Sequence, residues 1–175
     1  MLQRRRDVPP DELDRASAAV VAHALPLLPH GATVALYAPH GGEPDVRAIP
    51  DLRPDLRVAW PRVTSSQGAM VFVTAPASSL VRGFAGILEP PDGEIVAPRD
   101  FDAMLIPGTA FSAVGARLGM GGGFYDRYLE QLRDDALRVG IAHHWQLVPT
   151  VPEQHHDRRM THVVTDSDVW HTATS

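Results

Sequence analysis

The residue types best suited to chemistry are concentrated in residues 117–126, which read RLGMGGGFYD. Glycine occupies four of the five positions from 119 to 123. Because glycine has no Cβ, this stretch can adopt positive φ angles and leave its backbone N–H groups open to a ligand. Several such amides together bind phosphate oxygens, and Arg117 can add two parallel hydrogen bonds to the same group. The pattern indicates a phosphate-binding loop, and the alternative is a flexible surface loop.

The glycine-rich loop is expected to connect a strand to a helix. Residues 101–107, FDAMLIP, form a continuous apolar run, and residues 124–133, FYDRYLEQLR, place apolar side chains at helical spacing. A helix N-terminus has unpaired N–H groups and a partial positive charge, which favour an anion. Asp126 falls in the first turn, where its carboxylate can hold a magnesium ion that bridges phosphates. The loop matches neither the Walker pattern nor the GxGxxG dinucleotide pattern.

Two further carboxylates are candidates for the same site. Glu43 lies just after a strand in the segment YAPHGGEPD, where it can accept hydrogen bonds from the N–H groups of a substrate. The alternative for Glu43 is a solvated loop carboxylate. Asp157 follows His155 and His156, whose spacing matches no standard zinc arrangement. An oxygen ligand suits magnesium, so we expect Asp157 to act together with Asp126.

Composition indicates one compact globular domain that spans residues 1–175, with loose ends at residues 1–10 and 171–175. The chain is 44% apolar and 21% charged, and it contains no cysteine, which excludes disulfides and thiolate metal sites. Residues 1–15 are too polar for a signal peptide, and no apolar run is long enough to span a membrane. We therefore expect a cytoplasmic protein that does not associate with membranes.

The charged residues limit the possible ligands and chemistry. The formal net charge of −5 argues against nucleic acid as a partner, because such binding requires a basic surface. All sixteen basic residues are arginine, and the chain has no lysine. Schiff-base chemistry and a catalytic lysine on ATP are therefore excluded within this chain.

The remaining elements predict the α/β class. Residues 11–25 form a helix that ends before Pro26, and short apolar strands are predicted at 33–38, 56–60, 69–75, 101–107, 137–143 and 161–165. The second of these strands is expected to stop at Pro61. Continuous apolar strands that alternate with helices or loops indicate a three-layer α/β/α fold with a largely parallel central sheet. In such folds the ligand site lies at the carboxyl ends of the strands.

Four segments, in this order, resemble the 5-formyltetrahydrofolate cyclo-ligase family, also called methenyltetrahydrofolate synthetase. They are YAPHGGEPD at 37–45, GFAGILEP at 83–90, FDAMLIPGTAFSAVGARLGMGGGFYDRYL at 101–129 and WQLVPTVPEQHHD at 145–157. The resemblance covers residues 33–166. Its long central segment is specific because a strand, PG-x-AF, the glycine-rich loop and YDR occur together.

The resemblance implies an ATP- and magnesium-dependent conversion of 5-formyltetrahydrofolate to 5,10-methenyltetrahydrofolate, with release of ADP and phosphate. It implies that the formyl oxygen attacks the γ-phosphate and that N10 of the folate then closes the ring as phosphate leaves. This chemistry requires no protein nucleophile, so the site positions the reactants and stabilises charge. We expect a monomer or a weak homodimer whose partners are these two small molecules.

The resemblance also assigns site residues. Those implied to bind ATP are Arg4, Arg5, Arg6, Arg117, Leu118, Gly119, Met120, Gly121, Gly122, Gly123, Phe124 and Tyr125. Those implied to contact the folate are Ala38, Glu43, Met120, Gly121, Gly122, Gly123 and Phe124. Arg117 and Tyr125 are the candidate catalytic residues, and Asp126 and Asp157 are the implied magnesium ligands.

The sequence departs from the family pattern at three places. Family members usually begin with a basic segment of lysine and arginine that reaches the ATP phosphates, whereas only Arg4, Arg5 and Arg6 precede Asp-Val-Pro-Pro here. Phe124 replaces a frequent tyrosine, and Gly122 replaces a lysine of some members. One alternative is therefore a non-catalytic nucleotide- or folate-binding member without the N-terminal phosphate clamp. Another is an α/β phosphosugar isomerase or acyl-transfer enzyme, which fold analogy alone does not exclude.

Overall fold

The structure, a computed structural model, describes residues 1–65, 69–154 and 157–172. The α-helices are α1 (Leu2–Arg6), α2 (Pro10–Ala24), α3 (Ile49–Leu52) and α4 (Phe124–Leu129). The strands are β1 (Thr33–Ala35), β2 (Arg57–Ser65), β3 (Ala69–Thr74), β4 (Val81–Arg82), β5 (Leu88–Glu89), β6 (Ile95–Val96), β7 (Ala103–Pro107), β8 (Ala110–Phe111), β9 (Arg117–Leu118), β10 (Leu137–Ile141), β11 (His162–Val164) and β12 (Val169–His171). Short 3-10 helices occupy Leu25–Leu27, Ala77–Ser79, Phe84–Gly86, Pro98–Asp100 and His144–Gln146.

Eight strands form the central sheet in the order β12-β11-β10-β7-β1-β2-β3-β6. The five inner strands from β11 to β2 are parallel to one another. The pairs β2–β3, β3–β6 and β11–β12 at the two margins are antiparallel. Two small sheets, β4–β5 and β8–β9, lie outside the central sheet. The prediction of an α/β fold with a largely parallel sheet is confirmed.

Side chains alternate between the two faces of the sheet and build a hydrophobic core on each. Val34 packs with α2 residues on one face, and the next residue, Ala35, packs with α4 residues on the other. In β7, Leu105 belongs to the first core, whereas Met104 and Ile106 belong to the second. Helices therefore cover both faces of the strands, as the continuous apolar strand sequences predict.

Helix α2 follows ordinary sequence rules. Pro10 occupies its first turn, where a missing amide hydrogen costs nothing, and Asp11 and Glu12 complement the partial positive charge of the N-terminus. Its buried face, which includes Val20 and Val21, packs on the sheet. In the described part of the chain, no helix has both the length and the apolar character that a membrane crossing would need.

The structure corrects three expectations about element boundaries. Strand β2 does not stop at Pro61 but continues to Ser65, because past Ala59 it pairs with β3 alone and proline is tolerated where one side of a strand has no partner. Helix α4 ends at Leu129, and residues 130–132 form a turn in which the Gln131 amide donates to the Tyr128 carbonyl at 3.1 Å.

The third correction concerns the chain ends, which are more ordered than expected. Residues 1–10 contain α1 and the start of α2, and the side chain of Arg5 is buried. His171 belongs to β12, and Thr172 is buried with its hydroxyl donating to the Met160 carbonyl. Residues 173–175 lie outside the described residues.

Candidate active site

A cavity of about 340 Å³ opens where the inner strands end. The chain enters its wall at Ala38 just beyond β1, at Pro61 in β2 and at Pro107 at the end of β7. The full lining, here called the central cavity, consists of Leu2, Arg5, Arg6, Tyr37, Ala38, His40, Gly41, Glu43, Pro61, Val63, Met70, Phe84, Ala85, Ile87, Glu89, Pro107, Arg117, Gly119, Met120, Gly122, Gly123, Phe124, Tyr125 and Asp126. The lining is mainly apolar, with a few charged groups, as is typical of a small-molecule site.

Glu43 presents a buried carboxylate to the central cavity. Gly41 and Gly42 have φ angles of +57° and +80°, so the turn that brings Glu43 to the wall needs glycine at both positions. Glu43 Oε2 accepts a hydrogen bond of 3.0 Å from the His40 amide, and Oε1 lies 3.1 Å from Arg5 Nη1. The side chains of Glu43 and Arg5 are only 7% and 3% exposed. Burial raises the pKa of Glu43, while Arg5 and the His40 amide act to lower it.

The side chain of Arg5 contacts protein groups on three segments of the chain. Its Nε donates to the Gly41 carbonyl at 2.9 Å, and its Nη1 donates to the Gly108 carbonyl at 3.2 Å in addition to the ion pair with Glu43. Its Nη2 lies 3.8 Å from the sulfur of Met120. The sequence predicts that Arg5 binds ATP; in the structure its guanidinium has these protein partners at the end of the cavity that contains Glu43.

Neutral His143 supports the turn that contains Glu43. His143 Nε2 lies 2.8 Å from the Gly42 carbonyl and must donate to it, because a carbonyl only accepts. The other ring nitrogen accepts from the Gln146 amide, and Gln146 Oε1 accepts from the His143 amide at 2.9 Å. Burial lowers the pKa of His143, while the hydrogen bond to Gly42 acts to raise it. A neutral imidazole satisfies both contacts.

The glycine-rich loop leads from β9 to α4 and has an exposed backbone. Gly121 and Gly123 have φ angles of +87° and +64°, which side-chain-bearing residues rarely adopt. A Cβ at Gly121 would meet no protein atom within 4 Å, so this face of the loop is open. Gly123 is the N-cap of α4, which begins at Phe124 as predicted. With only six residues, α4 contributes little dipole, so binding of an anion here would depend on the loop amides and on Arg117.

Arg117 lies at the base of the loop and links it to the sheet. Its Nη1 donates to the Pro107 carbonyl at 3.3 Å, and its Nη2 forms an ion pair with Asp126 Oδ1. The side chain of Arg117 is 6% exposed, whereas that of Asp126 is 40% exposed. The guanidinium carbon lies 5.8 Å from the centre of the Tyr125 ring. Burial raises the pKa of Tyr125, and the charge of Glu43 adds to this effect.

A second opening of about 420 Å³, here called the side cleft, lies on the other side of the loop. It is lined by Arg117, Leu118, Gly119, Gly121, Gly123, Asp126, Arg127, Glu130, Pro152, Glu153, Gln154 and Asp157. Asp126 and Asp157 therefore face the same cleft, as the sequence predicts. Asp157 Oδ2 accepts from the Gln154 amide at 2.7 Å, which anchors the carboxylate in its turn. Four residues line both openings, namely Arg117, Gly119, Gly123 and Asp126.

The donor set of the side cleft fits a magnesium ion that is bound together with phosphate. Magnesium takes oxygen ligands and usually one or two carboxylates alongside phosphate and water, and Asp126 and Asp157 supply two. Within residues 1–65, 69–154 and 157–172, no three histidine, aspartate or glutamate side chains cluster as a self-sufficient metal site. His155 and His156 lie outside the described residues.

Most of the sequence-predicted site residues reach these two openings. Ala38, Glu43, Arg6, Met120 and Phe124 line the central cavity, and Leu118 and Gly121 line the side cleft. Arg4 lines neither of them. Its guanidinium carbon lies 4.4 Å from the centre of the Trp145 ring, where a cation–π contact accounts for its position.

Sequence reasoning missed a wall of the central cavity formed by the β2–β3 hairpin. Val63 and Met70 line the cavity because the hairpin extends beyond the sheet edge. Glu89 reaches the same wall, and its Oε1 accepts from the Val63 amide at 3.1 Å. Only Val63 is apolar among residues 62–65, so no local apolar pattern extends β2 past Pro61, and its extension depends on the pairing with β3.

The comparisons with known proteins agree on one protein family. The sequence profile of the 5-formyltetrahydrofolate cyclo-ligase family matches residues 1–166. The chain is 33% identical to the 5-formyltetrahydrofolate cyclo-ligase of Mycolicibacterium smegmatis in an alignment of 174 positions that covers 94% of this chain and 89% of the relative. It is 36% identical to the protein of the same name from Escherichia coli in an alignment of 179 positions that covers 96% of this chain and 97% of the relative.

Solved structures share the fold. The 5,10-methenyltetrahydrofolate synthetase of Aquifex aeolicus superposes with a TM-score of 0.85 at 31% identity, covering 99% of this chain and 90% of that chain. The protein of the same name from Mycoplasma pneumoniae superposes with a TM-score of 0.75 over 94% of this chain and 93% of that chain. At 24% identity the latter supports the fold alone.

Proposed function

The chain belongs to the 5-formyltetrahydrofolate cyclo-ligase family and is an enzyme of that family, and from this premise we propose that it uses ATP and magnesium to convert 5-formyltetrahydrofolate to 5,10-methenyltetrahydrofolate. The observation that carries the proposal is the wall common to the two openings. Arg117, Gly119, Gly123 and Asp126 face both of them. A folate in the central cavity and phosphates in the side cleft would therefore meet at this wall.

The central cavity suits the folate. Its volume of about 340 Å³ and its apolar walls match a flat heterocycle. The ring centres of Phe84 and Phe124, which both line this cavity, lie 6.1 Å apart. The Glu43 carboxylate can accept hydrogen bonds from the amino and amide N–H groups of a pterin. Because this carboxylate is buried and already fixed by two partners, it can orient the ligand without further ordering.

The side cleft suits the phosphates and their ion. The open face of Gly121 allows phosphate oxygens to approach the loop amides, and Arg117 supplies a cation beside them. Asp126 and Asp157 would hold magnesium. The ion, when bound, would neutralise phosphate charge, and the two carboxylates would fix its position relative to the loop.

The proposed reaction needs positioning and charge stabilisation rather than a protein nucleophile. The formyl oxygen forms a bond to the γ-phosphorus of ATP, and ADP leaves. N10 of the folate then attacks the activated formyl carbon and loses its proton to the departing phosphate, and inorganic phosphate leaves with the former formyl oxygen. Arg117 lies at the common wall, where it can stabilise charge on the transferred phosphoryl group. Tyr125, next to Arg117, contributes to the wall that aligns the two substrates.

One observation favours a second candidate function, a nucleotide- or folate-binding protein with little turnover. Of the three N-terminal arginines, Arg5 is bound to Glu43 and Arg4 stacks on Trp145, so only Arg6 extends from α1 into the central cavity without a described ion-pair partner. Weak binding of the ATP phosphates would lower turnover while leaving folate binding intact.

The experiment mixes the purified protein with 5-formyltetrahydrofolate, magnesium and ATP and follows the absorbance of methenyltetrahydrofolate. Matched reactions omit ATP, or omit magnesium in the presence of EDTA. Product that requires both ATP and magnesium supports the cyclo-ligase reaction. Binding of both ligands without product supports the second candidate, and product without ATP contradicts the proposed chemistry.

A further inference from the structure

We propose that Arg5 is a positioning residue for the folate half of the site, which holds the Glu43 carboxylate ionised and oriented, rather than a ligand of the ATP phosphates. This inference rests on the proposed function, because it takes Glu43 as the group that receives the folate. It assigns α1 to folate recognition and leaves the phosphates to the glycine-rich loop.

The contacts of Arg5 support this assignment. Its Nη1 lies 3.1 Å from Glu43 Oε1, and its remaining donors reach the carbonyls of Gly41 and Gly108. These partners belong to the turn that contains Glu43 and to the residue that follows β7. With the His40 amide on Oε2, both carboxylate oxygens have a donor on the protein side. The lone pairs that remain can face the cavity.

The backbone of α1 also packs against the Glu43 turn. A Cβ at Gly42 would overlap the carbonyl oxygen of Arg5, so the turn and the end of α1 are in direct backbone contact. The Gly42 carbonyl accepts a hydrogen bond from His143. The turn thus lies between α1 and the segment after β10, and a displacement of α1 would change the contacts of Glu43.

Arg5 is the countercharge of Glu43, because the other titratable groups around Glu43 are neutral. Tyr37 and Tyr125 face it with neutral phenols whose pKa values are raised, first by burial and then by the charge of Glu43. His143 on the far side of the turn is neutral, and its pKa is lowered by burial. Among the described residues, the ion pair recorded for Glu43 is with Arg5. Removal of Arg5 would therefore raise the pKa of Glu43 further.

The test compares Arg5→Met, Glu43→Gln and the double variant by steady-state kinetics from pH 5.5 to 8.5. Arg5→Met is expected to raise the KM for 5-formyltetrahydrofolate, by up to about tenfold at the acid end of this range if the pKa of Glu43 rises by one unit. The KM for ATP should stay within about twofold. The acid limb of kcat/KM for the folate should move to higher pH in Arg5→Met and disappear in Glu43→Gln.

The double variant separates positioning from other roles. If Arg5 acts through Glu43, Arg5→Met should add no further increase in the folate KM once Glu43 is glutamine. This pair also contains no buried uncompensated charge, so it remains informative if Arg5→Met alone fails to fold. Arg15→Met is the matched control, because Arg15 forms an exposed ion pair with Asp11 on α2 and should change neither KM.

Three results would overturn the inference. A rise in the ATP KM, with the folate KM unchanged, would make Arg5 a phosphate ligand. An unmoved acid limb, or additive effects in the double variant, would give Arg5 a purely structural role. If the wild-type protein forms no product, the proposed function fails on its own. Calorimetric titration of 5-formyltetrahydrofolate into the same variants at several pH values then still tests whether Arg5 acts through Glu43.

Discussion

The Asp126 carboxylate lies between a cation of the protein and the side cleft. Its carboxylate pairs with Arg117 and also faces the side cleft beside Asp157. If it ligates magnesium when ATP is bound, its interaction with Arg117 must change, and the guanidinium then becomes available to phosphate. Exchange of partners at one carboxylate would thereby connect ion binding to charge stabilisation.

Replacement of Asp126 by asparagine tests this role. The variant keeps the side-chain shape but removes a charge that magnesium requires, so we expect kcat/KM for magnesium–ATP to fall roughly 100-fold. The concentration of magnesium for half-maximal activity should rise. Asp135→Asn is the control, since Asp135 is exposed and pairs with Arg133 away from both openings. Unchanged magnesium dependence in Asp126→Asn would remove it from the metal site.

His143 is expected to make the stability of the folded protein depend on pH. Burial lowers its pKa in the folded state, whereas an unfolded histidine titrates near pH 6.5. As the pH falls below about 6.5, the unfolded chain takes up a proton that the folded state resists, so the free energy of unfolding decreases. The contribution is present above that pH and is lost below it, by at most about 1.4 kcal/mol per pH unit.

Urea unfolding at pH 7.5 and 5.5 measures this effect. The wild-type protein should lose more stability between the two values than His143→Gln, which has no proton to gain. His162, whose pKa burial also lowers, contributes to both proteins equally and cancels in the comparison. Equal losses in the two proteins would show that His143 is not the titrating group.

At the scale of the element, the glycine-rich loop offers a matched pair of substitutions. Gly121 and Gly31 have φ angles of +87° and +70°, and a Cβ at either would meet no protein atom within 4 Å. Valine at either position should cost about 1–2 kcal/mol of backbone strain. Only at Gly121 would the side chain also occupy the space that phosphate needs.

Gly121→Val is therefore expected to raise the ATP KM at least tenfold, whereas Gly31→Val should leave it near the wild-type value. Circular dichroism and thermal unfolding would establish that both variants fold with similar losses of stability. Equal ATP KM values in the two variants would contradict the binding of phosphate at the open face of the loop.

The sequence predicted inner strands and the loop well because both depend on local pattern. Continuous apolar runs such as residues 101–107 identify buried strands, and no ordinary helix or strand has four glycines in five positions. The extension of β2 past Pro61 was missed because its cause, the pairing with β3, is not local. The burial of Arg5 against Glu43 was missed for the same reason, since 38 positions separate the two residues along the chain and only the fold brings them together.

At the scale of the whole molecule, ligand binding should stabilise the fold because both openings join several elements. A ligand at about 100 times its dissociation constant adds about 2.7 kcal/mol, which for a chain of this size corresponds to roughly 5–10 °C in Tm. We expect 5-formyltetrahydrofolate to raise Tm by itself. ATP should raise Tm only with magnesium, and an equal shift in the presence of EDTA would contradict carboxylate-held magnesium at the side cleft.

Lysine, cysteine and tyrosine are the side chains that usually release protons in moderately alkaline solution. This chain has no lysine and no cysteine, and burial raises the pKa of all three of its tyrosines, Tyr37, Tyr125 and Tyr128. Its arginines keep their protons far beyond that range. Between about pH 9 and pH 11 the folded protein should therefore have a flat titration curve and a constant electrophoretic mobility. A burst of proton release in that interval would indicate that the tyrosines have become exposed. Proton release would therefore measure alkaline unfolding without any added probe.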